Sequence, residues 1–362
     1  IVITGGANNN GTYSITDTSS ALSDGNFTKG NGSKAAASVT VLVAGDAENI
    51  AAIDLDSDVT AINLNDKTGV ILDMANIGTR TISTGANTNG TYVVRDAATN
   101  LTTAGGGFNL TANQNPNAAS VTAVVAADSE DLSAVTLDSD VTNIDLNDKT
   151  TVVMNAGNAH NRVISGGTNN NGTYTVSDTA SALSNGNFTQ GNGSKTAISV
   201  TAVIANDDQD ITGVTFDSAV SNINLNDKTG VAMDAANANG IVITGGTNNN
   251  GTYTISDTAS ALSDSNFTKG ANSKAATTVT AVIASDNQDI TGVTFDSDVT
   301  NINLNDKTGV LMDAANANGI VITGGTNNNG TYTISDTASA LSDGNFTKGA
   351  NSKAATTVTA VI

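Results

Sequence analysis

The sequence contains no cysteine and no tryptophan, one proline, one histidine and only two glutamates, Glu48 and Glu130. Without cysteine there is no disulfide framework, no thiolate chemistry and no cysteine-ligated metal. Basic residues are also scarce, 14 against 34 acidic ones in 362 residues, for a formal charge of -20. So negative a chain repels nucleic-acid phosphates and anionic lipid, which argues against DNA, RNA and membrane surfaces as partners. Apolar runs stop after a handful of residues, too short for a helix that inserts into a membrane. The chain opens on Ile1, shows no signal peptide and closes in an apolar run at Val361 and Ile362, which reads as an excerpt from a longer polypeptide.

What is present is biased toward Asp, Asn, Gly, Thr, Val and Ile. Asp and Asn favour turns and β-branched residues favour strands, so the chain is expected to be all-β. It also repeats. Tyr13, Tyr92, Tyr174, Tyr253 and Tyr332 recur in the same GTY setting, mostly 79 residues apart. The repeats run over residues 1–79, 80–161, 162–240 and 241–319, with a partial fifth over 320–362. Residues 240–283 and 319–362 differ only at Ser265 against Gly344. The second repeat is divergent, with a three-residue insertion in GGGFNLTANQNPNAAS, around Pro116, expected to be a surface loop.

A shorter motif recurs inside each repeat. VTAVIA from Val279, ITGVTF from Ile290 and VTNINL from Val299 share an apolar-x-x-apolar-x-apolar form. In VTNINL, Ile302 and Leu304 alternate with asparagines and fall on one strand face, and a corner just before the strand turns Val299 inward too. DNQD, DSD and NDK are polar corners. The other half of the repeat reads as two strands, GIVITGG and GTYTISD, around a tight Asn329-Gly330 turn. A short helical turn follows, capped by Asp336 with Leu341 packed inward. A loop anchored by Phe346 then closes the repeat. Two architectures fit. The sub-repeat favours a tandem-repeat parallel β-solenoid with stacked apolar ladders. The turn and the repeat length suit a string of Ig-like antiparallel β-sandwich repeats.

Candidate sites are few. His160 stands alone in the divergent repeat, so a repeat-borne Ser-His-Asp arrangement is excluded and no enzyme activity is expected. Calcium is the one cofactor the composition suggests, because hard oxygen ligands cluster at Asp286, Asp289, Asp296, Asp298 and Asp306 and their equivalents. No EF-hand loop or GGxGxD run accompanies them. Lysines in NDK, FTK and SK settings read as surface charge.

YTISDTASAL followed by VTAVIA and VTNINLND is similar to the repeats of very large bacterial surface and secreted adhesins and of S-layer-like proteins. That resemblance implies an extracellular or cell-surface location and a tandem array serving adhesion or coat formation. The expected function is therefore a structural segment of a fibre, sheath or S-layer-like assembly. Its partners are other copies of itself, with strands over residues 1–4 and 358–362 pairing end to end. The alternative is a repetitive adhesin stalk whose protruding FTKGANSK loops bind glycan or a host surface.

Overall fold

The computed structural model describes residues 1–78, 80–103 and 118–362. The insertion expected as a surface loop, with Pro116, falls largely outside these described residues. The chain divides into two compact units, one of residues 1–176 and 189–198 and one of residues 177–188 and 199–362. Both are parallel β-solenoids. Every strand pairing described is parallel, which decides against antiparallel sandwiches.

In the first unit, Ser14–Asp17, Ser38–Leu42, Ala61–Asn63 and Thr81–Ser83 stack as one sheet. Val70–Leu72, Tyr92–Ala97, Ala118–Val124, Asn143–Asp145 and Val163–Ser165 form a second. A register shift between Tyr92 and Val93 marks where the divergent repeat rejoins its ladder. Residues 1–4, expected as a strand, form none, although the Lys34 N–H donates to the Ile3 carbonyl.

The second unit shows how a repeat becomes coils. Val231–Met233, Tyr253–Thr258, Thr278–Val282, Asn301–Asn303 and Val321–Thr323 form one sheet. Val310–Met312, Tyr332–Thr337 and Thr357–Val361 form another. Partners in register, such as Val231 with Tyr253 and Val310 with Tyr332, are 22 residues apart, so a coil takes about that length. Ala232 stacks on Thr254 and Thr254 on Thr278, and Thr280 of that strand stacks on Asn301, three coils from Ala232. Leu311, the counterpart of Ala232 one repeat later, sits half a coil beyond Asn301 and in the other sheet. One repeat therefore makes three and a half coils, and successive copies alternate between the two faces of the unit.

The core follows the strand period. Val279 and Ala281, Ile302 and Leu304, and Val310 and Met312 point inward, each no more than 1% exposed, while the residues between them are half-buried. In register they form the apolar ladder Ala281, Ile302, Ile322. Val299 is buried as expected, turned in by a corner in which its N–H donates to the Asp296 carbonyl.

Two expectations are corrected. ITGVTF forms no strand in the VTAVIA ladder; its residues make turns at a corner, and VTAVIA stacks directly on VTNINL. GIVITGG and GTYTISD are not a hairpin. Their strands belong to different sheets, so the turn between them carries the chain from one face to the other. Its left-handed residues are Gly325 and Asn328, and Gly330 is needed for space, since a Cβ there would lie 2.4 Å from Leu304 Cβ.

Candidate functional site: the stacked corners

The polar residues of each repeat gather at the corners where the coil changes face. At one corner, Asn305 and Asp306 are both left-handed, with φ 49° and 59°, and the Lys307 N–H donates to the Leu304 carbonyl at 2.8 Å. That is the geometry of a type I′ turn, for which Asn and Asp are favoured. The Asp306 carboxylate then engages the next coil. It accepts from the backbone N–H groups of Asn327 and Asn329, at 3.0 and 2.9 Å, and from Asn327 Nδ2. One coil earlier, Asp286 accepts from the Thr308 N–H at 2.7 Å and from the Thr308 hydroxyl. One coil later, Lys353 donates its Nζ to the Asn328 carbonyl and side chain. Each corner thus supplies the hydrogen bonds that its neighbour's backbone lacks.

The other corner holds helical turns, Met74–Ile77, Ala156–Ala159, Ala235–Ala238 and Ala314–Ala317. Asp313 caps the Asn316 N–H at 2.8 Å, and Asn316 reaches back to the Asp313 N–H. Asn316 is 1% exposed and also donates Nδ2 to the Val293 carbonyl of the preceding coil, at 2.7 Å. Asp336 accepts from the Ala314 N–H at 3.0 Å. It also bonds the Thr337 N–H, but residues 338–343 that follow make turns, not a helix. Leu341 and Phe346, expected to pack inward, are half-buried in this last copy, while their counterparts one repeat earlier, Leu262 and Phe267, are buried.

The five aspartates proposed for calcium are divided between these corners. Asp286 and Asp306 lie at the first. Asp289 caps the Thr291 N–H and hydroxyl. Asp296 accepts from the Asp298 N–H at the second corner, and Asp298 pairs with Lys269 Nζ at 2.7 Å. Among the described residues no three carboxylate, histidine or cysteine side chains come together as a group that could hold a metal. The carboxylates are spaced by the coil and turned onto backbone amides.

His160 occupies a position that is Asn239 or Asn318 in later copies. Its Nδ1 accepts from the Thr189 N–H at 3.0 Å, as Asn239 Oδ1 accepts from Thr268 and Asn318 Oδ1 from Thr347. The only histidine thus fills a structural acceptor position. The divergent repeat also carries a compensated pair, Arg95 with Asp145, where the next copy has Ser177 and Asn224.

The FTKGANSK loops do not protrude. In the fourth copy Phe267 is buried and Tyr253, 0% exposed, donates its hydroxyl to the Lys274 carbonyl at 2.6 Å. Ser273 accepts from the Ile243 N–H and donates to the Ile241 carbonyl, and Lys274 Nζ bonds Asn249. The loop is folded flat because its carbonyls and lysine serve the adjoining coil. Burial raises the hydroxyls of Tyr92, Tyr174, Tyr253 and Tyr332, the first two to about 12, so these four remain donors over the whole neutral range.

The corner bonds make an acid response calculable in sign. The Asn327 and Asn329 amides hold the Asp306 carboxyl below the ordinary aspartate range, and the Asn248 and Asn250 amides do the same for Asp227. Thr308 lowers Asp286 likewise. A lowered folded-state value means a stabilisation that is complete above about pH 4 and disappears as pH falls through the folded-state value. Asp234 has the opposite sign, since burial raises it and its protonation favours folding. Lowered carboxyls recur at most corners, so melting temperature should hold between pH 7 and 5 and fall steeply below pH 4. Asp227→Asn with Asp306→Asn should flatten that fall. An unchanged slope in the double variant would locate the acid sensitivity elsewhere. Compared with family models, curated proteins and solved structures, the chain matches none.

Proposed function

We propose that the protein is a structural segment of an extracellular or cell-surface fibre, sheath or S-layer-like assembly, with further copies of itself as partners. The observation that supports this most is the use each copy makes of its polar residues. Asp66, Asp148, Asp227 and Asp306 all bind the amides of the following corner in the same way. Near-identical copies that spend their carboxylates and asparagines on their neighbours suit a scaffold. A catalytic role would call for one group set apart in a cleft. The adhesin reading is less well supported, because the loops it relies on are folded down and their lysines engaged.

The test is imaging and scattering of the purified protein in chelator, in calcium and in sodium chloride of equal ionic strength. Filaments should show the strand spacing of about 4.8 Å along the axis and a repeat advance of roughly 17 Å, with true identity only after two repeats, near 34 Å. Growth in both salts indicates screening of the -20 charge. Growth in calcium alone indicates bridging between molecules. A chain monomeric in all three conditions removes the fibre reading for this segment.

A further inference from the structure

The corner that holds the helical turns differs between early and late copies at one position. The arginine that opens repeats two and three, Arg80 and Arg162, lies there against the helical turns that end repeats one and two, and repeats four and five open instead on Ile241 and Ile320. Arg162 lays its guanidinium into the corner. Nε donates to the Val141 carbonyl at 2.8 Å, Nη1 to those of Gly157 and Asn158, and Nη2 to that of Asp138 at 3.0 Å. Arg80 repeats this on Val59, Ala75, Asn76 and Asp56, with one further bond to Leu55. All of these acceptors are main-chain carbonyls. They converge from the end of the helical turn and from the coil before it.

In the later copies the backbone after the helical turn follows that of the Arg162 corner, with Asn239 and Asn318 extended as His160 is, and the arginine is missing. A groove of about 490 Å³ lies beside Ile241, and its counterpart of about 310 Å³ lies beside Ile320. The carbonyls of Val220, Ala236 and Asn237 correspond to those of Val141, Gly157 and Asn158, and no protein group among the described residues donates to them. The same holds for Val299, Ala315 and Asn316. Asp217 and Asp234 line the first groove, and Asp296 and Asp313 the second, adding negative charge.

We propose that these two grooves are binding sites for a guanidinium group supplied from outside the chain. The planar fork of a guanidinium presents donors in several directions at once, as the carbonyls of Val220, Ala236 and Asn237 require; an ammonium donates from a single point. The group can come from a free arginine-like small molecule or from an arginine of a polypeptide. The inference does not rest on the structural role proposed above, since the grooves exist whether or not the protein assembles.

The experiment is amide NMR of the full chain titrated with arginine methyl ester, with lysine methyl ester and calcium chloride as controls. Shifts should concentrate at Ser221, Asn237 and Ala238 and at Thr300, Asn316 and Ala317. The matching amides of repeats one and two, where Arg80 and Arg162 fill the corner, should not move. Binding should be about tenfold tighter than for the lysine ester. A short peptide with one arginine, titrated in parallel, separates the sources: tighter binding than the ester assigns a polypeptide, and equal binding assigns a small molecule. Ile241→Arg with Ile320→Arg should fill both grooves and abolish the shifts. Equal shifts in all copies, equal response to lysine ester or calcium, or a double variant that folds and still binds, would each overturn the proposal. Should that variant not fold, the comparison between early and late copies in the unaltered protein decides alone.

Discussion

Leu304→Asp should melt far below the parent protein, losing about 4 kcal/mol or more. Leu304 is fully buried, its Cβ faces Gly330 of the next coil, and its carbonyl accepts the Lys307 N–H that closes the corner. A carboxylate there would have no cation within the apolar ladder and no water. Asn303→Asp, one residue away, is the control. Asn303 is only half-buried, and its Oδ1 accepts the Asn305 N–H at 2.8 Å, a bond that a carboxylate oxygen can also accept. It should cost well under about 1 kcal/mol. Thermal melts of the two variants check the assignment, which fails if both are tolerated equally.

Gly325→Ala should be the most damaging of the small substitutions, costing about 3 kcal/mol. Gly325 has φ +96°, and a Cβ on it would stand 2.2 Å from the Asp306 backbone nitrogen. Strain and collision therefore fall on the contact that locks one corner to the next. Gly344 separates the two effects. Its φ is +94°, yet a Cβ there meets nothing within 4 Å, and the preceding copy carries Ser265 at this position. Gly344→Ala should cost only about 1–2 kcal/mol, the strain alone. Denaturant titrations showing the same loss for both would mean that close approach of the corners contributes nothing.

The strands and their faces could be read from sequence because they are written in local spacing. Alternation in VTNINL placed Ile302 and Leu304 inward, and the extra apolar residue at Val299 revealed a corner before the strand. The corners themselves were not readable in this way. Asp306 satisfies amides 21 and 23 residues downstream, and Asn316 a carbonyl 23 residues upstream, so neither bond leaves a mark in its own neighbourhood. The helical turns escaped notice because four residues carry almost no propensity signal. The Asp-Ala-Ala-Asn spacing of a capping box was the available clue. ITGVTF misled because it shares the apolar spacing of its neighbours while lying at a turn, where Ile290 is buried as part of a bend, not as a strand. The carboxylates suggested calcium by their number. Their positions could not be read in the same way, for the 22-residue coil spreads them along two edges, where Asp286, Asp289, Asp296 and Asp306 accept from backbone amides and Asp298 pairs with Lys269.

The half coil left over in each repeat has a consequence for how such a gene product can change length. Recombination between near-identical neighbours adds or removes whole copies. Gain of a single copy would turn every downstream copy to the opposite flank, so that a surface formerly facing left faces right. Gain of two would leave the orientation of all others untouched. If lateral neighbours dock on one flank only, length variants surviving selection should differ by even numbers of repeats, and an odd change would uncouple everything beyond it from its neighbours while leaving each coil perfectly folded.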